Sequence, residues 1–231
     1  MGAGIAKERV RRMIQVILAS HAAFTEEDVD VHGPAHAVDQ YLIRNTIPHI
    51  FLKYPIYGGF SSVVIYPDQH KENIGGAKLP ILFRPVWEIW KTLVYCFRNR
   101  ASKPVAIGVD PLNAFSFILA KSLGWVSAVI FYTPDYTAQR FRNILVNAVY
   151  HTIDRFASRK VDHMWCVSKR IMAIRKKQGI RPDIIYVVPN TPSLEEVGQV
   201  SFQKKDAYHL VMVGNIVQTL DYEFVLESMR S

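Results

Sequence analysis

The sequence predicts an α/β protein built on a doubly wound, Rossmann-like parallel sheet, and three observations carry that expectation. Short β-branched apolar runs recur along most of the chain, as strands buried on both faces of a sheet require. Segments with helical spacing of apolar residues lie between them, and strands that alternate with helices pair in parallel. The joints between them are rich in Gly, Pro, Asp and Ser, residues that end strands and cap helices. With 231 residues, 49% of them hydrophobic and 12% aromatic, the chain can bury a sizeable core.

Residues 13–19 form the first run. Basic residues from Lys7 to Arg12 precede it and invite a signal-peptide reading. The run is too short to cross a membrane, however, and His21, Glu26, Glu27 and Asp28 follow without a small-residue cleavage site, so a buried strand is expected. An acidic loop then leads to Gly33-Pro34-Ala35-His36, and residues 37–44 read as a helix. Runs 49–54 and 62–66 read as strands parted by a turn at Gly58 and Gly59, whereas the polar, glycine-bearing residues 68–78 read as an exposed loop. Over residues 85–99, Trp87, Trp90, Val94 and Phe97 recur at three- and four-residue spacing. We expect a helix whose aromatic stripe packs on the sheet; the rival is a helix lying in a membrane interface, with Arg84, Arg98, Arg100 and Lys103 nearby.

Alternation continues downstream. Residues 105–109 are a strand, 114–123 an apolar helix stopped by Gly124, 126–132 a strand and 140–160 a long helix. A strand at 161–167, a helix at 169–178 stopped by Gly179 and a strand at 184–188 complete a first domain, residues 1–190. Residues 191–207 are rich in proline and polar groups and read as a linker. The strand at 210–213, the turn Gly214-Asn215 and a helix from Asp221 read as the truncated start of a second α/β domain, residues 208–231.

The formal net charge is +8, and within residues 151–181 nine Lys and Arg stand against only Asp154 and Asp162. Unless it is merely a solvated helix face, such a surplus suits an anionic partner: a nucleotide diphosphate, a lipid pyrophosphate or an anionic membrane. Nucleic acid is not expected, because there is no zinc-finger spacing and no aromatic RNA-binding motif. Cys96 and Cys166 lie far apart on apolar segments, which argues against a disulfide framework. The expected location is cytoplasmic, free or peripheral at the inner face of the membrane.

In an open parallel sheet, ligands bind beyond the carboxyl ends of the strands. The residues that fall there are Ser20 and His21, Asp110, Thr133 to Tyr136, Ser168 with Lys169, and Asn190. Gly33 and His36 open a helix whose N–H groups could face an anion, although a tight turn explains them equally well. Asp110 before Pro111, with Asn113 in the first turn, suits a helix cap as much as a ligand contact. Asp135, Tyr136 and Arg140 form a polar and aromatic set suited to sugars, or else an ordinary turn.

Other templates fail. Met1-Gly2-Ala3-Gly4 lacks a preceding strand and a third glycine, and there is no phosphate-binding P-loop, no GxSxG and no HExxH. His32 and His36 are separated by Gly33-Pro34, a poor helix for a metal pair, so neither metal nor cofactor is expected.

Three stretches in order resemble the GT-B-fold glycosyltransferases of the family-4 type: residues 13–19 with Gly33-Pro34-Ala35-His36, residues 161–168 through Val187-Val188-Pro189-Asn190, and residues 210–215 with the helix after them. Residues 105–162, with Tyr132 to Tyr136, are also similar to the N-terminal domain of that group. The resemblance implies transfer of a sugar from a nucleotide-sugar donor to a glycan or lipid-linked acceptor, with retention and without a metal. Gly33, His36, Asp110, Asn113, Asp135, Tyr136 and Arg140 would lie on the acceptor side; Ser168, Lys169, Asn190, Gly214 and Asn215 would lie on the donor side. No catalytic residue is assigned.

The departures are Thr191-Pro192 where the family has Gly after Asn190, and Thr133-Pro134-Asp135 where many members carry His-Asp. The family's basic pair and paired glutamates of the donor domain would fall beyond Ser231, so the fragment itself is expected to be inactive. The alternatives are a non-catalytic subunit that binds acceptor or membrane beside a separate donor chain, and a Rossmann-like dinucleotide binder such as an oxidoreductase, against which the missing glycine fingerprint argues.

Overall fold

The computed structural model describes residues 14–22, 33–56, 60–80 and 83–190. The expected linker and second domain, with Gly214 and Asn215, lie outside the described residues, as do Lys7 to Arg12.

Among the described residues eight strands form one sheet in the order β4-β3-β2-β1-β5-β6-β7-β8. They are β1 (Val16–Ala22), β2 (His49–Pro55), β3 (Ser62–Ile65), β4 (Lys71–Gly75), β5 (Val105–Val109), β6 (Ala128–Thr133), β7 (His163–Cys166) and β8 (Ile185–Val187). Among the described residues five α-helices accompany them: α1 (Pro34–Arg44), α2 (Arg84–Arg98), α3 (Pro111–Ser122), α4 (Ile144–Lys160) and α5 (Lys169–Lys177). The Rossmann-like α/β architecture is the one the alternation predicts.

Across the sheet from β2 to β8 all pairings are parallel, while β3 and β4 add as an antiparallel hairpin outside β2. The sheet is mostly parallel, as expected, and β3 turns back on β2 because the connection between them is far too short for a crossover helix. One expectation needs correcting here. Residues 68–78 are not simply a loop, since they contain β4. That strand escapes a search for apolar runs because Lys71, Glu72 and Asn73 are exposed, as suits an edge strand. Gly75 and Gly76, both with positive φ, end it against the Trp87 ring.

The two faces of the sheet carry two separate cores. Val16, Leu18, Phe51, Ile107 and Tyr132 point to one face, where Ala35 and Leu42 of α1 meet them. Ile17, Ala19, Ile50, Leu52, Ala106 and Phe131 point to the other, under Tyr95 and Cys96 of α2, Ala114, Phe117 and Ala120 of α3, and Ala157 of α4. Alternate residues of one strand therefore serve opposite cores, as the twofold period of a strand demands. Helix α3 packs between α2 and α4. It comes so close to β5 that a Cβ on Gly108 would lie 2.5 Å from the backbone nitrogen of Ala114, so position 108 admits only glycine without a shift.

Helix α4 begins at Ile144, with the Asn143 side chain accepting from Leu145 and Val146 N–H; residues 140–143 precede it rather than belonging to it. The aromatic stripe of α2 is the larger correction. Its buried residues are Glu88, Thr92, Tyr95 and Cys96, whereas Trp90 is 60% and Phe97 45% exposed. The helix turns its polar side inward, for the Thr92 hydroxyl lies 2.8 Å from that of the buried Tyr54, which also donates to the Glu88 carbonyl.

Candidate functional site

Chain direction fixes where a site can form. From β1 the chain moves to β2 on one side, and later returns to β5 on the other. The gap beyond the carboxyl ends of β1 and β5 is thus the topological switch point, the usual ligand crevice of an open α/β sheet. His21 near the end of β1 and Asp110 immediately after β5 flank it.

These two side chains meet, together with one that sequence reasoning missed. The His21 ring donates from Nδ1 to Asp110 Oδ2 at 2.8 Å and from Nε2 to Glu88 Oε2 at 2.9 Å. Burial works against a charge on the imidazole, but the field and hydrogen bond of Asp110, joined by those of Glu88, outweigh it and push the pKa up to about 10. At neutral pH the ring is an imidazolium with both N–H groups committed. It bridges the two carboxyl groups, one from α2 and one at the start of α3.

The rest of the cluster fixes Asp110. Its Oδ1 accepts from the Asn113 backbone N–H at 2.9 Å, capping α3, and the Asn113 side-chain amide donates to Oδ2. Asn113 Oδ1 is buried without a partner among the described residues. Asp110 adopts φ 142° and ψ 164°, a conformation that is nearly restricted to glycine and costs on the order of 1–3 kcal/mol. Glu88 is buried, its side chain 7% exposed, and its Oε1 makes no hydrogen bond among the described residues. Set behind a partly exposed imidazolium, it can accept a hydrogen bond from a hydroxyl.

A second polar assembly lies at the ends of β6 and β7. Arg175 of α5 is 1% exposed and grips Asp154 of α4 through both terminal nitrogens. The same guanidinium donates to Thr133 Oγ1 at 3.2 Å and to Gln178 Oε1 at 3.2 Å, and Gln178 in turn donates to the Tyr136 hydroxyl at 2.9 Å. This network fastens the Thr133–Tyr136 loop to two helices and counts as scaffold. Asp135 faces away from it, paired with Arg140 at 2.7 Å in an exposed bridge.

The remaining candidates scatter. Gly33 and His36 sit at the start of α1, on the opposite face of the sheet from His21; the Gly33 N–H donates to His36 Nδ1 at 3.0 Å, closing the helix start locally. Lys53 Nζ stands 3.1 Å from His36 Nε2. Ser168 caps α5 by accepting from the Ile171 N–H, Lys169 is exposed in its first turn, and Asn190 is exposed after β8. Of the expected residues, only Asp110 and Asn113 join His21. Glu88 was hidden inside an apparently amphipathic helix, and its one sequence signal was being the sole acid in α2. Neither the family models nor the curated proteins compared with this chain match it.

Proposed function

We propose that residues 1–190 form the acceptor-binding domain of a glycosyltransferase and that the His21–Glu88–Asp110 cluster receives the acceptor. The observation that carries this reading is a pair of carboxyl groups, bridged by the His21 ring, at the switch point of the sheet. Carboxylate oxygens accept hydrogen bonds from sugar hydroxyls. One of them next to the attacking hydroxyl also serves as general base while the new glycosidic bond forms. Glu88 suits that role, because its Oε1 is uncommitted among the described residues. The sugar would arrive on a nucleotide carrier held by the other half of the enzyme, and the resemblance alone supports that part.

Binding of short alkyl glycosides, read by saturation-transfer NMR on the whole chain, tests the proposal. Glycosides should bind, and Glu88→Gln should weaken binding at least tenfold while leaving the circular dichroism unchanged. Equal binding by wild type and variant, or no binding to any glycoside, would sink it. Protection by a nicotinamide dinucleotide would favour the oxidoreductase reading. A binding subunit without chemistry is the second reading, favoured by the commitment of both His21 nitrogens; glycosides would then bind, but nucleotide release would not occur with any added donor-domain chain.

A further inference from the structure

We infer that the outer side of the α2–α4 layer is a docking surface for an anionic lipid bilayer. The inference goes beyond the glycosyl-transfer reading and does not depend on it.

Helix α2 is turned inside out relative to an ordinary surface helix. Its outward side presents Val86, Trp90 and Phe97, with Val86 66% exposed; Arg98 is exposed on the flank of that row and Lys91, half-buried, covers the Trp87 ring. Helix α4 repeats the arrangement, since Ile144 and Leu145 in its first turn are 82% and 76% exposed and Val149 continues the row at 60%. Both helices run opposite to the parallel strands that follow them, so their N-terminal halves rise to the same rim as the His21 cluster.

The charge pattern names the occupant. Helix α2 has one acid, Glu88, and α4 has one, Asp154; each is buried and turned inward, to His21 and to Arg175. Neither α3 nor α5 contains any acid. The outer surface of all four helices therefore carries Lys and Arg, aromatic and aliphatic groups, and no carboxylate from the helices themselves. A protein partner would leave so many cations unmatched at the core of its interface, where charge is usually depleted. Anionic headgroups match them, with Trp at the headgroup level and aliphatic side chains below it. Arg100 already stacks on the Phe97 ring at 3.8 Å, an arrangement in which an aromatic anchor and a phosphate ligand enter together.

Vesicle sedimentation of the whole chain tests this, with phosphatidylcholine alone and with added phosphatidylglycerol. The protein should sediment with the anionic vesicles and not the neutral ones, and salt should release it. Trp90→Asp and, separately, Leu145→Asp should each weaken partition at least tenfold, and Arg98→Glu should abolish the preference for anionic vesicles. Soluble glycosides should bind Trp90→Asp as they bind wild type, which separates this surface from the acceptor site. Absence of partition, partition unchanged in the Asp variants, or a vesicle-free dimer dissolved by Trp90→Asp would each overturn the inference.

Discussion

His21 is ordinary by its place in the chain and unusual by its neighbours. Its pKa rises from 6.5 to about 10 on folding, so the charged form is what the fold binds. A raised pKa contributes stability that is fully present below pH 6.5 and lost as pH climbs through 10. Each tenfold gain in proton affinity is worth about 1.4 kcal/mol. Discounted for the partial exposure of the ring, we expect unfolding free energy to drop by roughly 2–4 kcal/mol across that range. Urea titrations at pH 6.5 and pH 10 should show the drop in wild type and much less of it in His21→Gln. Asp110 offers a cleaner contrast. Ala at 110 loses the cap and keeps the strain, whereas Gly loses the cap and relaxes the backbone. Asp110→Gly should therefore be the more stable variant by about 1–3 kcal/mol, and a thermal melt favouring Ala would refute strain at this position. None of this strain is visible in the letters Val-Asp-Pro, which read as a routine helix start.

At the scale of elements, what the sequence shows and what it hides divide along one line. Strands in the middle of the sheet, such as β5 and β6, announce themselves through unbroken apolar runs. So do helix ends at Gly124 and Gly179, which both adopt positive φ. Strand β4 does not, because among the described residues it is paired on one side only and Lys71, Glu72 and Asn73 face water, leaving Ile74 as its one core residue. Helix α2 misleads for a deeper reason: periodicity says that a helix has two sides, but not which one meets the sheet. Apolar residues inward is the usual solution, and here Glu88, Thr92 and Tyr95 take that place because His21 and Tyr54 supply partners for Glu88 and Thr92. The same logic makes the Arg175–Asp154 pair a risk for the fold. Arg175→Met should leave a buried carboxylate alone and cost about 3–5 kcal/mol, and adding Asp154→Leu should restore most of it. Chemical denaturation of the two variants gives the answer; equal stability of the single and double variants would mean that the pair is not what holds α4 to α5.

For the whole molecule, the sheet order sets a gradient of rigidity. Strands β1, β5 and β6 are flanked on both sides and covered by helices, whereas β4 is, among the described residues, paired on one side only and exposes Lys71, Glu72 and Asn73. Amide exchange should be slowest at Ile17, Leu18, Ala106 and Val129 and fastest, among strands, at Glu72 and Asn73. Uniform exchange across the sheet would contradict the topology. The architecture follows from alternation of runs because chain connectivity and handedness leave few ways to wind such a chain. The site follows only partly: strand ends can be counted from sequence, and Asp110 falls on one, but the meeting of residues 21, 88 and 110 depends on how three crossovers stack.

The burial of both acids of α2 and α4 has a further consequence, for arrival rather than for holding. With carboxylates sunk beneath the helices and cations left outside, the helical layer is the positive pole of the described fold. A dipole of this kind turns a freely tumbling molecule before contact, so most productive collisions with a negatively charged body would occur helices first. Encounter would then be faster than chance orientation allows, and it would slow as ionic strength rises even where the final grip is apolar. Restoring one outward glutamate, for example through Thr152→Glu on α4, would blunt that orientation without touching either core.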